Sequence, residues 1–181
     1  LPAPTIGAVG IIMHPDDMII GQICEGHLLL LVGETAGHLG QSALLAEVYG
    51  RAEGDAPPVD LAAEKRNGDF IRANHTMIRA CTDLSDGGLA LAAFELAEEA
   101  QIGVTLDTDD TPTLFGEDQA RYLIACSFDQ AEDLMITAAN ADVPIAMVGK
   151  VGGDQITFGN FNHDLADLAH TFRTSFATAV A

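Results

Sequence analysis

Two glycine-rich segments constrain this chain more than any other feature. One is Gly33-Glu34-Thr35-Ala36-Gly37-His38-Leu39-Gly40-Gln41-Ser42, and the other is Thr82-Asp83-Leu84-Ser85-Asp86-Gly87-Gly88-Leu89-Ala90. Each follows a predicted strand or extended loop and opens a predicted helix. The first N–H groups of a helix have no partner inside it, so each opening aims free donors at whatever lies in front, and an oxyanion such as phosphate is the natural guest. On that reading Gly37, His38, Gly40, Gln41 and Ser42 are candidate phosphate- or nucleotide-binding residues in the first segment, with Ser85, Asp86, Gly87 and Gly88 in the second. A plainer reading stands beside it: turns before helices, with Ser42, Ser85 or Asp86 as caps. Neither segment is G-x-G-x-x-G, and no Lys follows to make a Walker loop.

The charge narrows the guests. Lys and Arg total 8 against 27 Asp and Glu, a formal charge of −19. Nucleic acid and anionic membranes both require clustered cations, so neither is an expected partner. A phosphate would have to be held by backbone amides, helix dipoles and a divalent cation. Asp83, Asp86 and Glu117 are the carboxylates that could meet such a cation, although no ligand set is defined. Glu117 also stands four residues before Arg121, the spacing of a surface ion pair on a helix. The six histidines show no ligand spacing, and His38 alone falls inside a glycine segment.

Cys24, Cys81 and Cys126 lie far apart with no C-x-x-C, which suggests buried free thiols in a reducing, cytoplasmic setting. No apolar run reaches the ~18 residues of a membrane span. The chain opens on Leu1-Pro2 without an initiator Met, as a piece of something longer would.

Hydrophobic patterning gives strands over Thr5–Met13, Leu28–Val32, Ile78–Thr82, Gly103–Leu106 and Tyr122–Ser127, with a further one possible over Met18–Ile23. Val143–Val151 and Gln155–Phe158 flank Gly152-Gly153-Asp154, a hairpin signal. Helices are expected from Ser42 to Tyr49, from Asp60 to about Met77, from Leu89 to Ala100 and from Asp129, where Glu132 suggests a capping box. A last helix would carry Leu165, Leu168, Phe172 and Phe176 on one side. The expected class is α/β (α+β), a mixed sheet covered by helices. Residues 1–14 would be the last strand of a preceding domain, or an entry segment, and 15–181 the α/β domain. Without its neighbours, the Thr5–Met13 strand should promote self-association.

Five motifs in order carry a resemblance: Pro4-Thr5-Ile6-Gly7-Ala8-Val9-Gly10, Leu31-Val32-Gly33-Glu34-Thr35, Gly37-His38-Leu39-Gly40-Gln41-Ser42, Asp83-Leu84-Ser85-Asp86-Gly87-Gly88-Leu89-Ala90 and Leu114-Phe115-Gly116-Glu117. Together, over about Pro4 to Gly149, they resemble the C-terminal part of the phosphoribosylformylglycinamidine synthase family, within the aminoimidazole ribonucleotide synthetase-like superfamily. The resemblance implies a domain of an ATP-dependent carbon–nitrogen ligase of purine biosynthesis. That enzyme converts formylglycinamide ribonucleotide with glutamine-derived ammonia, using ATP and Mg²⁺. It implies as partners the N-terminal domains of the same chain, a glutaminase subunit and a small bridging subunit. It carries no catalytic residue onto this fragment, which would be inactive alone, and it faces the Gly37–Ser42 loop to a nucleotide cleft holding ATP or ADP. Two positions depart from the pattern: many relatives have an acidic residue at His38 and a His at Thr82. The alternatives are a related ATP-using enzyme such as thiamine-monophosphate kinase or a hydrogenase-maturation carbamoyl dehydratase, and a non-catalytic nucleotide-binding or scaffold domain.

Overall fold

The computed structural model describes residues 7–180. Its centre is β1 (Leu28–Val32), four of whose five residues are buried. Successive strand side chains point to opposite faces, so an unbroken apolar run belongs to a strand covered on both sides. Leu29 and Leu31 enter one core, and Leu30 and Val32 the other. β4 (Tyr122–Cys126) repeats the device, sending Leu123 and Ala125 to the first core and Ile124 and Cys126 to the second.

The remaining strands are β2 (Ala80–Asp83), β3 (Val104–Leu106), β5 (Ile145–Val151), β6 (Gln155–Phe158) and β7 (Phe161–Asp164). The sheet order is β2-β4-β1-β5-β3-β6-β7. Every pairing is antiparallel except β3 with β6. One face is covered by α1 (Leu61–Ala73) and α4 (Phe128–Asn140), which bury Phe70, Ile71, Ala131, Leu134 and Ala138. The other is covered by α2 (Gly88–Ala100), the short α3 (Thr111–Phe115) and the start of α5 (Leu165–Ala179). The mixed sheet under helices is therefore as expected, and no helix of the described residues is long and apolar enough to cross a membrane.

Several local expectations change. β5 and β6 do not form a hairpin, because β3 lies between them. Gly103 leads β3 into that gap: its N–H donates to Gly153 O and its carbonyl accepts from Gly152, both at 2.8 Å. A Cβ at Gly103 would fall 2.4 Å from Gln155 O, so only glycine admits the strand. α1 is capped by Asp60, as the sequence suggests, but ends at Ala73. There the Asn74 side chain turns back to donate to Phe70 O, and a 3₁₀ turn, His75–Met77, follows. α4 starts earlier than Asp129: Gln130 Oε1 accepts the Ser127 N–H at 3.4 Å and its hydroxyl at 3.0 Å, so the box is Ser127 with Gln130 and not Asp129 with Glu132. The turn after Ser42 is π-helical, over Leu44–Val48.

Of the Thr5–Met13 strand, Thr5 and Ile6 lie outside the described residues. Gly7 to Met13 pair with no described strand and expose Val9, Ile11, Ile12 and Met13. Met18–Ile23 forms no strand either. Cys24 is exposed and only Cys126 is fully buried. β7 has no counterpart in the sequence reading, because its four residues, Phe-Asn-His-Asp, are all exposed and carry no apolar alternation.

Candidate functional site

The two glycine segments come together at one carboxylate. Glu117 Oε1 accepts the N–H of Ala43, at the first helical opening, at 2.8 Å and the N–H of Gly87, at the start of α2, at 2.9 Å. Next to it, Asp118 faces three consecutive amides. Its Oδ2 accepts from Ala36 at 3.2 Å and Gly37 at 2.9 Å, and its Oδ1 from His38 at 3.2 Å. The pattern expected for a bound oxyanion is present, and the anions are the protein's own side chains. Glu117 adds its backbone, donating to His38 O at 2.9 Å.

Arg121 completes the cluster, and it is the largest fully buried side chain of the molecule. Its Nη1 donates to Thr35 Oγ1 at 3.2 Å, its Nε to Asp118 O at 3.3 Å and its Nη2 to the Gly116 carbonyl. Asp118 Oδ2 lies 3.7 Å from Nη2. Burial pulls the Arg121 pKa below its ordinary value, and the Asp118 charge opposes that. The expected Glu117–Arg121 surface pair does not exist. Residues 116–121 are not helical, Glu117 turns to the amides, and Arg121 turns inward.

Close packing explains two of the glycines. Gly88 has φ +60°, and a Cβ there would sit 2.5 Å from Gly116 O. Gly37 has φ +72°, and its Cβ would meet Pro112 Cβ at 2.6 Å. Both let the two segments press onto the Thr111–Gly116 turn.

The other candidates have these places. Ser42 is buried, and its Oγ accepts from Leu45 N–H at 3.3 Å, the capping role. His38 Nε2 lies 2.7 Å from Asp55 O. Gln41 has φ +58° and donates from its side chain to Gly54 O at 2.8 Å. Gly40 lies under Asp55, whose carbonyl is 2.4 Å from the position of an added Cβ. Ser85, Asp86 and Asp83 are exposed. Asp83, Asp86 and Glu117 do not converge, and among the described residues no three His, Cys, Asp or Glu side chains are grouped to hold a metal ion. Sequence reading did not single out Asp118 or the buried role of Arg121. The signal available was a need: the Gly37 amides required an acceptor, and Asp118 follows directly on a residue already under suspicion.

Three cavities flank the cluster, the smallest, of about 220 Å³, being lined by Glu34, Ala36, Asn67 and Asp118. A second, of about 400 Å³, is lined by Glu64, Asp83, Gln119, Arg121 and Tyr122. Its negative wall acts on its surroundings: burial, then Asp83, pushes the Cys81 thiol up to about 11, and burial followed by Glu64 raises Tyr122. The third is an apolar groove of about 510 Å³ that starts at Ala43 and Gly87 and runs between α2 and α5.

Comparison with known proteins follows the same lines. The family described as AIR synthase related protein, C-terminal domain, matches residues 25–158. The phosphoribosylformylglycinamidine synthase subunit PurL of Ruegeria sp. (strain TM1040) is 64% identical over all 181 residues, which is 25% of that protein. The chain thus spans about a quarter of the length of the curated relatives it matches. Among solved structures, Thermotoga maritima PurL complexed with FGAR superposes with a TM-score of 0.70 over 86% of this chain and 30% of that one, at 17% identity. The same protein complexed with ATP gives 0.65 over 82% and 26%, at 16% identity.

Proposed function

The chain belongs to the AIR synthase related proteins, as a C-terminal domain of that family, and from that premise we propose that it is one domain of a phosphoribosylformylglycinamidine synthase subunit. In this reading the whole enzyme is an ATP-dependent ligase of purine biosynthesis, acting in the cytoplasm. It amidates formylglycinamide ribonucleotide with ammonia derived from glutamine. N-terminal domains of the same polypeptide, a glutaminase subunit and a small bridging subunit are its partners. Residues 1–14 are the last strand of a preceding domain or an entry segment, and 15–181 are this domain. Identity of 64% with the Ruegeria subunit along the whole chain supports the assignment.

The observation that carries the role is the shared acceptor. Glu117 ties Ala43 N–H and Gly87 N–H at 2.8 and 2.9 Å, so two segments distant in sequence act as one rigid surface. That surface is one wall of a nucleotide cleft, and the opposite wall and the catalytic groups come from elsewhere in the subunit. Because the Gly37, His38 and Gly87 amides already hold carboxylates, ATP or ADP phosphates meet the half-buried Leu39–Gly40 stretch of the first segment and the exposed Ser85 of the second. Exposed Asp83 and Asp86 fit Mg²⁺ only as part of a set completed from outside this chain. Bound there, the ion would neutralise phosphate charge that the acidic domain otherwise repels.

A scaffold reading has one observation in its favour, the same occupied amides. A chimera separates the two. The matching quarter of the Ruegeria subunit is replaced by this chain, and amidine formation is assayed with formylglycinamide ribonucleotide, ATP, Mg²⁺ and ammonia. We expect turnover to be retained and to fall, with a raised KM for ATP, on Asp86→Ala. A folded but inactive chimera overturns the assignment, and kinetics unchanged by Asp86→Ala leave the domain a scaffold.

A further inference from the structure

The apolar groove has no place in the function proposed above. Phe158, Leu91 and Phe94 line its floor, and Val48, Phe161 and Phe172 its rim. It is a built surface and not a gap awaiting collapse. Phe94 meets Phe172 edge-on at 5.4 Å, and Phe158 stacks on Phe161 at 4.5 Å. Yet Val48 is 68% exposed and Phe172 49%. Contiguous apolar surface of this kind on a water-soluble fold marks a site of association.

Three observations say what covers it. The rim residues Phe161 and Phe172 lie beyond residue 158, where the family match ends, whereas identity with the Ruegeria subunit extends over the entire chain. Relatives that match the whole chain carry three further quarters of polypeptide, so a covering segment has a source within the same molecule. Finally, Glu47 lies in the lining, and the chain carries a charge of −19, so a second copy would bring an equal excess of negative charge onto the same face.

We infer that the groove is the docking site for an apolar segment, flanked by Lys or Arg, from the rest of the synthase subunit. This rests on the reading that the chain is one domain of that longer polypeptide. Desolvating the rings on both sides would supply the attraction, and basic flanks would offset Glu47 and steer the segment in.

Hydrogen exchange read by mass spectrometry tests it. The full-length polypeptide containing this sequence is compared with the 181-residue chain, whose two cores close within itself, at several concentrations. We expect exchange over Leu44–Arg51 and Leu168–Thr178 to slow several-fold in the full-length protein at every dilution, with α1 unchanged. Val48→Glu should abolish that protection. Equal exchange in both proteins overturns the proposal. Protection of the isolated chain that grows with concentration also overturns it, in favour of a second copy. The chimera assay keeps the two readings apart: an active chimera with an unprotected groove sinks this inference alone, and an inactive one with a protected groove sinks only the functional assignment.

Discussion

The Glu117–Asp118–Arg121 cluster and the groove beside it share Ala43 and Gly87 and are opposites in every other respect. In the cluster, each carboxylate faces amide donors and the guanidinium faces two carbonyls, a hydroxyl and a carboxylate. In the groove, aromatic rings face solvent with partners on one side only. The first is internally complete and its worth is stability. The second is internally incomplete, so its worth lies outside the chain. A buried polar group left without its partner forfeits far more than a trimmed exposed apolar one, and substitutions at the two places should separate sharply.

The largest effect is expected at Asp118. Its replacement by Ala leaves three amides without an acceptor and the buried Arg121 guanidinium without a counter-charge. Denaturant unfolding should show a loss of about 3–5 kcal/mol. A loss below about 1 kcal/mol would mean that water reaches the cluster and would erase the contrast. Glu117→Ala comes next, at about 2–3 kcal/mol, since two amides at two helix openings lose their acceptor. Glu117→Gln keeps an acceptor oxygen and should recover most of that. If Gln and Ala behaved alike, the negative charge and not the hydrogen bonds would hold the openings together. Smallest is Val48→Ala at the groove rim, within about 0.5 kcal/mol in the isolated chain. A larger loss there would show that the groove is already load-carrying without a partner.

Local signals and long-range ones were not equally legible in the sequence. The buried strand Leu28–Val32 announced itself as an unbroken apolar run, and Asp60 as a cap, because each depends on neighbours a few residues away. Gly152-Gly153-Asp154 reads as a hairpin signal because the insertion of β3 between β5 and β6 is decided by Gly103, almost fifty residues earlier. The glycine segments were recognisable as anion cradles, since amide-lined turns have a residue signature. Nothing in their lettering said that the anions would be Glu117 and Asp118, more than seventy residues on from Ala36 and Ala43. Arg121 was misplaced for a related reason. Its spacing from Glu117 fits a helix surface, and only the packing of Gly116 against Gly37 draws it inside.

Asp164 ends β7 and also caps α5, its Oδ1 accepting from Ala166 and Asp167 at 2.8 and 3.2 Å. No residue separates strand from helix, so the tail has no joint. Whatever pulls on α5 is felt at once along the sheet edge, and the last strand and helix must lift away together or stay put.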